Sequence, residues 1–195
     1  MKRPATNRKR VADLITGARL LLGASLAGLG LVRGAAALPT AVWLLLVNWA
    51  GDLVDGIIAR SSRPYYHTWL GDHDLEVDMA VATALLAFLV GAGYVSPGVA
   101  LLYLLAWSLV FWRMGLIRSL GMLAQAPVYG WFMWVAMQEA PQAIRWLLAW
   151  IGLVIVITWP RFPKEVIPGF LAGLGLAKRA NGQAGEEERR HRWSE

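Results

Sequence analysis

Apolar residues run in six long blocks separated by short polar or charged turns, at about 12–32, 38–59, 75–95, 97–112, 119–137 and 143–159. Most of these blocks approach the roughly 20 residues that an α-helix needs to cross the hydrocarbon core of a bilayer. The pattern predicts an all-α integral membrane protein with six transmembrane helices, formed as one domain over residues 1–160. From Arg161 the chain turns rich in Pro, Gly and charge, with Pro163 and Pro168 followed by the run Glu186, Glu187, Glu188, Arg189 and Arg190. Residues 161–195 are accordingly expected to form an interfacial segment as far as 177 and then a mobile polar tail.

The distribution of cations orients this bundle. Lys2, Arg3, Arg8, Lys9 and Arg10 precede the first block, Arg60 and Arg63 follow the second, Arg113 and Arg118 separate the fourth from the fifth, and Arg161 and Lys164 follow the sixth. With six spans all of these fall on one side, and the opposite turns hold only Arg33 and Arg145. By the positive-inside rule both termini are cytoplasmic, which places the protein as a multi-pass component of the cell inner membrane. The net charge of +6 then reports topology and contact with anionic lipid heads rather than a nucleic-acid surface, so no nucleic-acid partner is expected.

Composition agrees, with 57% hydrophobic residues and a mean hydropathy of +0.46. Residues 1–37 imitate a secretory signal that ends at Ala35, Ala36 and Ala37. Cleavage there would leave an odd number of spans and spoil the charge asymmetry, so the first block is expected to stay. Most of the 11 Trp residues lie toward block ends or within the fourth to sixth blocks, as interfacial belts and lipid-facing bulk do. Cysteine is absent, which excludes disulfides and thiol chemistry.

Against this apolar background the costly residues are carboxylates. Asp52, Asp55, Asp74 and Asp78 stand at the end of the second block and the start of the third. One ionised Asp near the centre of a spanning helix opposes insertion by about 2.5 to 3.5 kcal/mol, and less near an interface. At about 100° per residue, Asp52, Asp55, Gly56 and Ala59 share one helix face, and so do Asp74 and Asp78. Two such helices side by side would bring four carboxylates to one cavity, a donor set suited to hard divalent ions such as Mg²⁺.

The run Asp52-x-x-Asp55-Gly56-x-x-Ala59-Arg60, followed by Asp74-x-x-x-Asp78, resembles the motif of the CDP-alcohol phosphotransferase (CDP-alcohol phosphatidyltransferase) family, DxxDGxxAR then GxxxDxxxD. Seven of the eight fixed positions match, and the second glycine falls at Gly71 where the motif has it at the position of Leu70. The resemblance implies that Asp52, Asp55 and Asp74 are metal ligands and that Asp78 is both ligand and general base, around two Mg²⁺ ions, with Mn²⁺ as a possible substitute. It implies further that Gly56 and Ala59 let a cytidine nucleotide approach the backbone while Arg60 helps to hold the pyrophosphate. In the first block, Asp13-x-x-Thr16-x-x-Arg19 resembles the family's Asn-x-x-Thr-x-x-Arg, which puts Thr16 and Arg19 on the donor side. The alternative for that triplet is a helix cap at Asp13 and an Arg19 that snorkels to the lipid heads.

The activity so implied is Mg²⁺-dependent transfer of a phosphatidyl group from a CDP-linked donor, CDP-diacylglycerol in the first instance, to the hydroxyl of a small polar alcohol, with release of CMP in phospholipid biosynthesis. Its partners would be that lipid donor, the alcohol, membrane lipids and, by family resemblance, a second copy in a homodimer. Arg113 and Arg118 are either topology charges or a site for a phosphate on the acceptor, since guanidinium groups bind phosphate bidentately. Two other readings stand beside this one: a catalytically degenerate member with a structural role, and a divalent-cation transporter. A transporter needs acidic residues spread through the membrane depth, whereas these gather at one interface.

Overall fold

The computed structural model describes residues 7–61 and 74–159, together with positions 168, 170 and 175; side chains are described over 14–54 and 75–159 and at those three positions. Every described segment of length is helical, and no strand occurs among the described residues. Among the described residues six long helices follow one another: α1 Asn7–Arg33, α2 Leu38–Ser61, α3 Asp74–Gly91, α4 Pro97–Met114, α5 Arg118–Glu139 and α6 Pro141–Thr158. Each contains the greater part of one apolar block. Helix α1 starts well before its block because Arg8, Lys9 and Arg10 are good helix formers that hydropathy does not register. Asp13 therefore lies inside α1 and does not cap it.

The ends of these helices follow local chemistry. A 3₁₀ turn over Gly34–Ala37 reverses the chain between α1 and α2, and Gly34 takes a φ of +56° that an L side chain resists. Helix α4 opens on Ser96, whose hydroxyl accepts from the Val99 N–H at 3.3 Å, with Pro97 in the first turn, where its missing N–H costs nothing. It closes at Gly115 (φ +75°). Pro127 lies inside α5 without ending it.

Contacts fix the relative directions. Helices α1 and α3 run parallel, since Arg19 meets Asp78, Gly23 faces Val81 and Gly30 faces Phe88. Their approach is closest at Gly30 and Gly91, where an added Cβ on either would sit 2.6 Å from the other helix's backbone. Small residues that admit such a crossing are characteristic of helix pairs in membranes. Helix α5 runs parallel to α3, with Leu75 against Gly121 and the Phe88 and Phe132 rings edge to face at 6.2 Å. The short turns then send α2, α4 and α6 the other way. One end of the bundle thus collects the beginnings of α1, α3 and α5 with the last turns of α2, α4 and α6. At the other end Trp131 Nε1 donates to the Tyr94 carbonyl at 3.2 Å. Burial, and after it the Glu139 carboxylate, push the Tyr94 phenol above its ordinary value there.

The core is apolar and is drawn mainly from α1, α2, α3, α5 and α6, with Leu26, Leu45, Leu85, Phe88, Phe132 and Leu147 fully buried. The outer surface is apolar too. Leu101, Leu102, Leu105, Leu109 and Trp112 of α4 are all more than half exposed, and Ala100 is the only residue of α4 that is buried. A water-soluble bundle would not present such a surface, and a lipid-facing one does. Among the described residues three stretches are long and apolar enough to cross a membrane: Leu14–Val54, Pro97–Met114 and Pro141–Thr158. The first, of 41 residues, contains the α1–α2 hairpin. Helix α3 is excluded by Asp74, Glu76 and Asp78 in its opening turns, and α5 is diluted by Arg118, Gln125, Gln138 and Glu139. The segment 161–195 lies outside the described residues apart from the three isolated positions.

Candidate functional site

At the end of the bundle where α1 and α3 begin, three helices deliver charged groups to one place. Arg19, on the second half-turn after Thr16 along the same face of α1, is only 2% exposed. Among the described residues its guanidinium reaches two carboxylates: Nη1 lies 2.8 Å from Asp52 Oδ1 on α2, and Nη2 donates to Asp78 Oδ1 on α3 at 2.5 Å. Exposure rises outward from the arginine, to 29% for the Asp78 side chain and 46% for that of Asp52. The two acids therefore stand at the boundary between the bundle interior and the outside, with their shared cation behind them.

The local sequence supports this arrangement. Gly51 precedes Asp52 and lies against the Arg19 stem, where an added Cβ would make only ordinary contacts, 3.4 Å to Arg19 Cγ and 3.5 Å to Ile15 Cγ2. One turn before Asp52, Asn48 is 1% exposed and donates from Nδ2 to the Arg19 main-chain carbonyl at 2.9 Å. Its Oδ1 is buried without a hydrogen-bond partner in the protein, a state that carries a desolvation cost. Thr16 is buried at 7% exposure. Next to Asn48, the Trp49 ring packs edge-on against Tyr129 of α5 at 5.2 Å, and Tyr129 lies within electrostatic reach of Asp78, Arg19 and Asp52.

Of the sequence-predicted residues, Asp52, Asp78, Thr16 and Arg19 are thus brought to one end of the bundle, the first two directly bridged by the last. Asp55, Gly56, Ala59 and Arg60 continue the backbone of α2 beyond Asp52, and Asp74 opens α3 one turn before Asp78, but their side chains lie outside the described residues. Leu70 and Gly71 lie outside them altogether. Among the described side chains no group of three or more metal-ligating residues occurs. Arg113 and Arg118 are exposed on either side of the α4–α5 turn, at the same end of the bundle as the carboxylates.

Asn48 and Tyr129 were not apparent from the sequence as site residues. Asn48 had a usable signal, a lone amide in an apolar run and four residues before an aspartate of the motif, hence on its face. Tyr129 had none, because it arrives from a distant helix. No family model, no curated protein and no solved structure matches this chain.

Proposed function

We propose that this chain is a six-span phosphotransferase of the CDP-alcohol type, with both termini and the aspartate end of the bundle facing the cytoplasm at the inner membrane. The observation that carries the proposal is the meeting of Asp52 and Asp78 from two different helices at one partly exposed helix end. Those are the first and last acids of the motif that the sequence resembles. The alternating directions of six helices support the span count, since each of the six then has its ends on opposite faces.

The two described acids, Asp52 and Asp78, supply the kind of oxygen donor that a hard divalent ion takes. They offer carboxylate oxygens at the bundle edge, where a cation retains some of its water, as Mg²⁺ prefers. In this reading Asp52, Asp55, Asp74 and Asp78 would hold two Mg²⁺ or Mn²⁺ ions, whose contribution there would be to offset the charge of the pyrophosphate and favour its alignment. Gly56 and Ala59 leave space for the cytidine along α2, Arg60 holds the pyrophosphate and Thr16 lines the donor side. Asp78 takes the proton from the acceptor hydroxyl. That oxygen bonds to the phosphatidyl phosphorus as the bond to the CMP oxygen breaks, and CMP leaves with the electron pair. Arg113 or Arg118 meets a phosphate on the acceptor where it carries one.

A second reading, a degenerate member that keeps the fold for a structural role, is favoured by the same arginine, since a buried ion pair between helices holds a bundle together whether or not turnover occurs. One assay separates the two: purified protein with CDP-diacylglycerol, Mg²⁺ and a panel of small alcohols, followed by CMP release. CMP formed with one alcohol and lost in Asp52→Asn supports the transferase, and no CMP with any acceptor leaves the structural role.

A further inference from the structure

The sequence motif places Arg19 on the donor side, where it would meet phosphate. The geometry points to a different role, and we propose that Arg19 is a positioning residue: a built-in cation that clamps Asp52 of α2 to Asp78 of α3 and so sets the relative height of the two metal-binding helices. This deepens the function proposed above and rests on it for the identity of the metal ligands.

Three observations carry the clamp. The guanidinium is 2% exposed, whereas a group that binds a lipid-linked pyrophosphate has to be reached by it. Its two terminal nitrogens are each committed to a different helix, at 2.8 Å and 2.5 Å, and a planar fork with fixed donor directions transmits that geometry from one carboxylate to the other. The Asn48 amide on the Arg19 carbonyl ties the α1 backbone at this position to α2 as well. The two motif halves are joined by residues 62–73, and α1 ties them independently of that connection.

The clamp and a simple charge effect make opposite predictions for metal affinity. Removing a cation from between two carboxylates strengthens their attraction for a divalent ion by Coulomb's law alone. Loss of a positioning contact lets the helices shift and weakens it. The test uses the full chain purified in detergent, as parent, Arg19→Met, Arg19→Lys, Asp78→Asn and the double variant Arg19→Met/Asp78→Asn. Mn²⁺ binding is read by electron paramagnetic resonance below the unfolding temperature, and unfolding midpoints are read in chelator.

We expect Mn²⁺ affinity to fall about tenfold in Arg19→Met, a change worth about 1.4 kcal/mol. Arg19→Lys, which keeps the charge on a single ammonium and loses the fork, falls in the same direction and supplies the measurement if the Met variant does not fold. The midpoint losses of Arg19→Met and Asp78→Asn should be strongly non-additive, because each breaks the same contact. With CDP-diacylglycerol, kcat should drop in Arg19→Lys while the donor KM stays near that of the parent. Unchanged or tighter Mn²⁺ binding in both arginine variants, additive midpoint losses, or a donor KM raised more than tenfold with kcat kept would each overturn the clamp. If the parent binds no Mn²⁺ and forms no CMP, the function reading fails, and the midpoint cycle alone decides the clamp.

Discussion

Asp78 and Asp52 share a counter-ion but differ in surroundings. Asp78 is the less exposed of the two, accepts the shorter contact and stands in the first turns of α3. In the proposed chemistry it also takes the acceptor proton, so Asp78→Asn, which keeps shape and removes basicity, is expected to lower kcat by about a hundredfold or more. Asp52→Asn should instead act first on the metal, with a higher Mg²⁺ concentration needed for half-maximal rate. Turnover of Asp78→Asn near the parent rate would take the base role away from it. The buried arginine behind them gives a stability counterpart. The arginine is buried but both acids are partly exposed, so water takes over part of their pairing and Arg19→Met should cost less than the about 3 to 5 kcal/mol of a fully buried pair. That Arg19 points inward was undecided in the sequence. Spacing put Asp13, Thr16 and Arg19 on one face of α1, but a helical face does not say which neighbour it meets, and snorkelling to lipid satisfied the same pattern.

At the scale of elements, the crossing of α1 and α3 is what carries Arg19 to Asp78. It depends on Gly30 and Gly91, whose missing side chains let the two backbones touch. Gly30→Ala would press a methyl carbon to 2.6 Å from the Phe88 Cα, which neither helix can relieve by a rotamer change. Overpacking of this kind costs about 1 to 3 kcal/mol, so the unfolding midpoint in detergent should fall by several degrees. Gly28→Ala, on the same helix but facing open space, should leave the midpoint unchanged or raise it, since Ala is the better helix former by about 1 kcal/mol. Equal midpoints for the two variants would contradict the crossing. The helices themselves were legible from their apolar runs, because burial in lipid or core demands the same continuous hydrophobicity. The parallel pairing of α1 with α3 was not, because glycine in an apolar run reads equally as packing, bend or chance. Only the partner backbone distinguishes these.

For the whole molecule, the alternating helices and the placement of the basic turns make one end of the bundle cytoplasmic in our proposal. The chain has no cysteine, so single introduced thiols report topology without background. Leu116→Cys, exposed in the turn between α4 and α5, should react with an impermeant maleimide only from the cytoplasmic side. Gln142→Cys, exposed at the start of α6, should react only from the outside. Labelling of both from one side would break the six-span arrangement. Among the described residues three stretches qualify as spans, and α3 is left out by its three acids, Asp74, Glu76 and Asp78, rather than by a lack of apolar content.

In our proposal the carboxylates at this end serve a metal-dependent transfer, which makes the rate of CMP release from CDP-diacylglycerol a function of free Mg²⁺ concentration. With the competent alcohol present, the expected curve starts at zero in excess chelator, rises to saturation as Mg²⁺ is added, recovers with Mn²⁺ and shifts to higher concentration in Asp52→Asn. A full rate of CMP release in excess chelator, unaffected by added Mg²⁺, would contradict it.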